Sequence, residues 1–487
     1  MYIVMIASEC APVSKVGGLA DVVDGLSREL ANKGHKVEVI LPYYDCMKHS
    51  VVKDLQNNPV QVSVPCSGKQ IFSTVHKAVV HENDCYFIKP HSQEKYFDRG
   101  IYYGKSDDDE RFTVFSLSAI EFLLESGRKP DVIHCHDWQT AIIPVLLKAK
   151  YRQSALSDIK TCFTIHNIWH QGKTTEKVLK MAGLEPPIYA DMTDDTDAAY
   201  VNLMKGGIIY SDIITTVSPK YASETKTPQM GEGLQKILSK YSDKYIGIIN
   251  GVDYDSWSPG NDKYIPFNYE IDTIEDKYKN KGQLRKKLSM KDEFKPIVSV
   301  VGRLDMQKGV HLIRHALLHC LNNDMQFVLL GSSPDTEIDT YFHHLKYYLK
   351  NNGNCHIHLS HDEELAHLIY AGTDMILIPS LFEPCGLTQM IAMRYGTVPV
   401  VRNTGGLSDT VFDAEVSVKP VAERNGFSFD DFSYDAVTLA LKRAATTWAD
   451  KPYTFREIML TGMKTDYSWR SSADKYLNLY NKISGKW

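Results

Sequence analysis

Short unbroken runs of apolar, largely β-branched residues, each followed by a helical pattern, recur along almost the whole chain. KVEVILP (Lys36–Pro42), DVIHCHD (Asp131–Asp137), TCFTIHN (Thr161–Asn167), DIITTVS (Asp212–Ser218) and YIGIIN (Tyr245–Asn250) carry the pattern in the first half. IVSVVGR (Ile297–Arg303), QFVLLGS (Gln326–Ser332), HIHLS (His356–Ser360), DMILIPS (Asp374–Ser380) and TVPVVR (Thr397–Arg402) repeat it in the second. A strand with one wet face alternates apolar and polar residues. Continuous runs are buried on both faces, as in parallel strands covered by helices. The pattern therefore predicts an α/β protein built from βαβ units. At 487 residues the chain exceeds what one core accommodates, so two such domains are expected. Residues 59–87 break the rhythm: strand-like runs follow one another without helices, which predicts a β insertion in the first domain. The stretch NGVDYDSWSPGNDKYIPFNYEIDTIEDKYKNKGQLRKKL is rich in turn residues and reads as a crossing without a packed strand, with a hinge near Val252–Pro259. SWRSSADKYLNLYNKI, close to the C-terminus, reads as an amphipathic helix after the second domain.

Composition narrows the partners. Asp and Glu outnumber Lys and Arg, 60 to 55, for a net charge of −5, which argues against a sequence-independent nucleic-acid binder. No apolar run approaches ~18 residues, so no membrane span is expected. The nine cysteines are scattered singly with no CxxC, which predicts reduced thiols and no disulfide frame or zinc site. The chain enters a strand almost at once, without the charged start and cleavage site of a secretion signal, so a cytoplasmic location is expected. The acidic run SDDDER (Ser106–Arg111) reads as a solvated loop.

In open α/β sheets, ligands bind beyond the carboxyl ends of the strands. After IVSVVG come Arg303 and Lys308 in GRLDMQKG, two cations on a loop leading into a helix. They suit a diphosphate, the guanidinium as a fork and the ammonium as a point charge. After DMILIPS comes LFEPCGLTQM, in which Gly386 is expected to open a helix and free the amides of Leu387 and Thr388 for an anion. Glu383 stands just before them. A carboxylate there repels phosphate, so a neutral ligand such as a sugar is expected to meet it. The glycine pair of NTGGLSDTV reads as a structural tight turn.

The first half offers other groups. HCHDWQT places His134 and His136 on one face of a strand, read as packing residues for want of a third metal ligand. Asp137 and Trp138 at its tip offer a carboxylate and an apolar face, a pairing suited to a sugar ring. His166 and Asn167 end the next strand. Lys15, Gly17 and Gly18, in KVGGLADV, occupy a strand-to-helix corner near the start of the chain, where bare backbone lets a ligand approach. The one Asp-x-Asp, Asp195 and Asp197, follows no strand and is read as coincidence. The charge of a leaving diphosphate is thus expected to be met by Arg303, Lys308, Lys15 and helix N-termini, without a metal.

Taken together, KVGGLADV, HCHDWQT, TIHN…HQG, INGVDYDSWSP, GRLDMQKG and FEPCGLTQMIAMRYGTVPVVRNTGGLSDTV resemble, in this order, segments of the bacterial glycogen and plant starch synthases. HLIYAGTDMILIPS and DYSWRSSADKYLNLY are most similar to starch synthase classes III and IV and to cyanobacterial synthases. The resemblance runs from the first strand to the last helix. It implies the GT-B fold: two Rossmann-like parallel-sheet domains facing a cleft, 1–253 on the acceptor side and 254–468 on the donor side, with a helix at 469–487 crossing back to the first domain. It implies retaining transfer of glucose from ADP-glucose to the non-reducing end of an α-1,4-glucan, with no cofactor, in the cytosol of a bacterium or the plastid of a plant. On this resemblance Lys15, Gly17, Gly18, Asn250, Arg303, Lys308, His361, Gly386, Leu387 and Thr388 face the donor. Asp21, Asp137, Trp138 and Asn167 face the acceptor, and Lys15, Asp137, His166, Arg303, Lys308 and Glu383 are catalytic. Many bacterial members carry a Tyr near the position of His361, stacked on adenine; the smaller ring here leaves UDP-glucose as an alternative donor. A non-catalytic glucan-binding protein of the same fold would be expected to have lost some of Lys15, Arg303, Lys308 and Glu383. A phosphorylase would need a pyridoxal phosphate lysine, which no segment suggests. With no nucleophile-and-base pair of the glycosidase kind, front-face substitution is expected. In it the leaving oxygen takes the acceptor's proton, and Cys385 serves only packing.

Overall fold

The apolar runs become parallel strands, as their composition requires. A computed structural model describes residues 1–66 and 68–486. Positions 67 and 487, one within the predicted β segment 59–87 and one ending the predicted terminal helix, lie outside the described residues. The chain divides into two units. The first comprises Met1–Gly251 with the segment from Trp469 onward, and the second comprises Val252–Ser468. The first unit thus ends just before the expected 253.

In the first unit the strands are β1 (Tyr2–Ile6), β2 (Lys36–Pro42), β3 (Val60–Cys66), β4 (Lys69–Val80), β5 (Asn83–His91), β6 (Val132–His136), β7 (Lys160–Ile165), β8 (Lys173–Thr174), β9 (Val201–Asn202), β10 (Ile213–Thr216) and β11 (Tyr245–Gly247). Nine of them form one sheet in the order β11-β10-β7-β6-β1-β2-β5-β4-β3, while β8 and β9 pair with each other. The predicted β insertion is therefore no separate piece. β5 joins β2 in parallel, and β4 and β3 continue the same sheet antiparallel. The run YIGIIN is extended only to Gly247. The helix Trp469–Ser484 belongs to this unit. It buries Tyr476 and Tyr480 completely, and the Tyr480 hydroxyl lies 2.7 Å from His134 Nδ1 on β6.

In the second unit β12 (Ile297–Val301), β13 (Gln326–Leu330), β14 (Cys355–His358), β15 (Met375–Ile378), β16 (Val398–Arg402) and β17 (Phe427–Phe429) form a wholly parallel sheet, ordered β14-β13-β12-β15-β16-β17. The turn-rich crossing holds no strand among its described residues, yet it is not a slack linker. Asp262 is buried, takes hydrogen bonds from Tyr395 Oη (2.5 Å) and His367 Nδ1 (2.7 Å), and lies beside Trp257, whose ring stacks on His367 at 3.9 Å. Farther on, the buried ammonium of Lys277 donates to the carbonyls of Tyr370 and Ala371 and to Thr397 Oγ1. Sequence alone misplaces these anchors because each is a polar residue whose partner lies about a hundred residues away.

In both sheets the order of the parallel strands reverses once, between β1 and β6 and between β12 and β15. Such a reversal opens a crevice at the carboxyl ends of the two strands, where ligands of open α/β sheets sit. The segments that follow those four strands include KVGG, DWQ, GRLDMQKG and LFEPCG.

Candidate active site

In the second unit the loops after β12 and β15 are stitched together by backbone. Leu381 N–H donates to the Gln307 carbonyl, and Lys308 N–H donates to Asp305 Oδ1. This holds the Lys308 ammonium 2.5 Å from Glu383 Oε2, on which the Ser380 hydroxyl also donates at 2.9 Å. Glu383 is buried, so its charge needs both partners. The loop after β16 presses on the same segment: Gly406 N–H donates to the Glu383 carbonyl at 3.0 Å. Beyond Glu383, Gly386 takes the left-handed conformation and Leu387 caps the helix Thr388–Arg394, so the helix starts two residues later than expected. The first amides of that helix have no carbonyl of their own turn to bond. A cavity of about 70 Å³ lies among Gly302, Arg303, Lys308, Ser380, Glu383 and Thr388. Arg303 is exposed, with Asp305 at 3.5 Å. His361 is exposed on the residue before Asp362, the N-cap of the helix Glu363–Gly372, and is not among the cavity's lining residues.

In the first unit β6 and β7 end side by side. Asp137, in the left-handed region at φ 54°, accepts the backbone N–H of His166 at 2.7 Å and that of Asn167. Burial pushes its carboxyl up to about 7, against the pull of those two donors. The His166 ring is buried and stacks on His136, with His166 Nε2 3.1 Å from His136 Nδ1. Burial lowers the His166 imidazole to about 3, so it is neutral near pH 7. His136 in turn lies on His134 at 4.1 Å, and His134 bonds Thr164 Oγ1 as well as Tyr480. The two histidines of HCHDWQT are thus on one face, as alternation requires, and His136 is more than filling: it fixes the ring beside the proposed site. Asn167 turns its amide oxygen to the Trp169 N–H at 3.1 Å, which makes it a turn-forming residue. Asn250 is buried with its side-chain oxygen unpartnered.

At the KVGG corner the exposed Lys15 ammonium pairs with Asp21 at 2.7 Å. The corner's amides are taken by a residue that sequence reading missed. Buried Glu9 accepts Val16 N–H at 2.5 Å and Gly17 N–H at 3.0 Å, and Tyr103 O–H at 2.6 Å. Burial raises the Glu9 carboxyl above its ordinary value. Its place directly after β1, at a strand's carboxyl end, was the available signal. Asp195 pairs with Lys205. The run read as a solvated loop instead opens the helix Asp108–Glu125: Asp107 pairs with Arg99, Asp108 caps the turn at Gly104, and Arg111 is fully buried.

Two Rossmann-like parallel sheets, one with a cation, a carboxylate and a helix start at its switch point, define a glycosyltransferase of the GT-B class. The comparisons with known proteins agree. The family described as "Starch synthase catalytic domain" matches residues 2–240, and "Glycosyl transferases group 1" matches residues 281–453. Glycogen synthase 1 of Nitrosococcus oceani is 50% identical over 486 residues, 99% of each chain. Glycogen synthase 1 of Trichormus variabilis is 48% identical over the full length of both. Among solved structures, the catalytic domain of starch synthase IV from Arabidopsis thaliana, bound to ADP and acarbose, matches with a TM-score of 0.96 at 43% identity over 99% of each chain. A sucrose-phosphate synthase from Thermosynechococcus elongatus shares the fold alone, at 17% identity and a TM-score of 0.63. The chain belongs to the glycogen and starch synthase family and is a glucosyltransferase.

Proposed function

We propose that the chain transfers glucose from ADP-glucose to the 4-hydroxyl at the non-reducing end of an α-1,4-glucan with retention of configuration. The observation that carries this reading is the Lys308–Glu383 pair, held at 2.5 Å on the rim of a small cavity beside a helix start. Lys308 and Arg303, with the amides of Leu387 and Thr388 after Gly386, are assigned to the diphosphate, and Glu383 to hydroxyls of the transferred glucose. Lys15 is assigned as a further cation, and Gly17, Gly18 and Asn250 also to the donor. His361 is assigned to the base. Asp137, Trp138 and Asn167, with Asp21, are assigned to the acceptor.

The step is a front-face substitution. The bond from glucose C1 to the diphosphate oxygen breaks, the bond from C1 to the acceptor oxygen forms on the same face, and the acceptor's proton passes to the departing diphosphate. Lys308 and Arg303 stabilise the negative charge that grows on the leaving group, about 3–4 kcal/mol for a well-placed donor. A neutral His166 suits the site, because an imidazolium would repel the positive charge developing on the sugar. Metal independence belongs to this proposal, with the cations supplying the charge a metal would.

The test is to incubate the protein with glycogen and labelled ADP-glucose or UDP-glucose, with and without EDTA. Label entering polymer from ADP-glucose, undiminished by EDTA, is the expected result. No incorporation from either nucleotide overturns the reading. Incorporation only from UDP-glucose overturns the donor, and loss with EDTA overturns the metal-free step.

A further inference from the structure

Three imidazoles of the first unit, His134, His136 and His166, form one stack, and the reaction as written uses only the last. His134 and His136 have no exposed surface, while His166 keeps 9 % of its own. The rings of His134 and His136 lie 4.1 Å apart, and those of His136 and His166 lie 5.3 Å apart at an angle of 29°. One polar contact joins the last two, His136 Nδ1 to His166 Nε2 at 3.1 Å. We propose that His136 is a positioning residue for the transfer: it donates its Nδ1 proton to His166 Nε2 and so fixes His166 as the tautomer that carries its own proton on Nδ1. The proposal rests on the glucosyl-transfer reading above, in which His166 serves the reaction, and deepens it by giving the form in which His166 acts.

Counting protons leads there. Burial pushes both imidazoles well below their ordinary value, so each is neutral near pH 7 and holds one ring proton. A hydrogen bond between them needs a hydrogen on one facing nitrogen and a lone pair on the other, which leaves two arrangements. If His166 Nε2 were the donor, His136 would accept at Nδ1 and carry its own proton on Nε2. That nitrogen is buried and has no partner among the described residues. If His136 Nδ1 is the donor, the same Nε2 is a bare lone pair. A buried N–H with no acceptor is the rarer defect in folded proteins, so the second arrangement is favoured.

The surroundings hold the donor in place. The backbone of His136 is tied on both sides to Thr140 Oγ1, which accepts its N–H at 2.7 Å and donates to its carbonyl at 2.8 Å. His134, on which the His136 ring lies, is bonded at both nitrogens, to Thr164 Oγ1 at 2.6 Å and to Tyr480 Oη at 2.7 Å. Thr164 continues to Thr215 Oγ1 at 2.6 Å. Tyr480 comes from the helix Trp469–Ser484, so the end of the chain braces the stack. His166 is thereby left with an N–H at Nδ1 and with its lone pair at Nε2 already taken. It can donate to a sugar oxygen but has no free lone pair with which to take a proton. That excludes it as the general base and leaves the acceptor's proton to the departing diphosphate, as the front-face step requires.

The experiment has two readouts. Nitrogen NMR of the full chain, isotope-labelled in its histidine rings and assigned with His136→Asn and His166→Gln, reports which nitrogen of each ring holds the proton, whether or not the protein is active. Protons on Nδ1 of both rings are expected; a proton on Nε2 of His166 overturns the proposal. The second readout is steady-state kinetics of His136→Leu, which has no donor, and of His136→Asn, whose amide can replace the Nδ1–H. His136→Leu is expected to lower kcat about ten-fold with KM for ADP-glucose and for glycogen nearly unchanged, the pattern of an interaction made in the transition state. His136→Asn should recover most of that loss. Wild-type kcat in His136→Leu overturns the positioning role. So does an equal loss in both variants when circular dichroism shows both folded, because packing alone would then account for it. If the wild type transfers no glucose, the underlying reading fails and the role in transfer with it, while the NMR still decides the tautomer.

Discussion

Two glycine pairs, one in each unit, sit at strand-to-helix turns, and they are there for opposite reasons. At Gly405 and Gly406 the protein itself demands glycine. Gly405 is left-handed at φ 47°, and a Cβ would lie 2.0 Å from the Glu383 carbonyl oxygen; at Gly406 it would lie 2.2 Å from that of Cys385. At Gly17 and Gly18 nothing of the protein lies within 4 Å of an added Cβ, and Gly17 is extended backbone that any residue adopts. One pair is explained by packing. The other is left unexplained by its own surroundings, as bare backbone awaiting a ligand would be. The cations differ in the same way. Lys308 is tied to a buried carboxylate, whereas Lys15 pairs with Asp21 in the open.

The largest effect is expected where packing and chemistry coincide. Lys308→Ala should lower kcat about 10²–10³-fold, the cost of removing a charged donor from a leaving group. The protein should lose stability, because buried Glu383 keeps only Ser380 as a side-chain partner among the described residues, yet stay folded. Steady-state kinetics with circular dichroism decides it: near wild-type turnover would detach the second unit's corner from the reaction. Next comes Gly405→Ala. Left-handed strain and the clash with the Glu383 backbone together predict about 2–4 kcal/mol of destabilisation, read by urea denaturation. A variant as stable as wild type would show that this corner is as free as the other and erase the contrast.

Much of this was legible in the sequence, and the exceptions have a common cause. The parallel strands announced themselves because burial on both faces leaves unbroken apolar runs. Arg303, Lys308, Glu383 and Asp137 were visible as polar residues directly after such runs. The structural role of Gly405 and Gly406 was read from turn chemistry. Glu9, Ser380, the use of His136 and the anchoring of Asp262 were not read, because each acts through a partner brought close only by folding. Glu9 meets Tyr103, His136 meets His166 and Asp262 meets His367. The helix start at Thr388 slipped because Gly386 spends its freedom on the turn before the helix.

The burial that prebuilds the first unit's strand ends has a pH signature. Asp137 titrates at about 7 in the folded protein and near 3.9 when unfolded. Between those values the folded state holds the extra proton, so this group's contribution to stability falls as pH rises from about 4 to about 7. Asp137→Asn should therefore raise Tm at pH 8 by on the order of 2–4 °C, with the gain vanishing near pH 4. It should lower activity at the same time. A thermal scan across pH showing no gain at pH 8 would mean that Asp137 is better solvated than its surroundings imply.

The smallest stability effect is the most telling for the comparison. Gly17→Ala adds one methyl to open space on an extended backbone, so its stability should stay within about 0.5 kcal/mol of wild type. If the bare backbone is there for the donor, the same methyl meets the ligand. KM for ADP-glucose should then rise several-fold while KM for glycogen holds, the pattern of a contact made in binding. The amides of Val16 and Gly17 are already occupied by Glu9, so what the donor would use at this corner is the space above the backbone. A variant with wild-type kinetics for both substrates would show that Gly17 serves neither packing nor ligand. The contrast between the two corners would then lose its meaning.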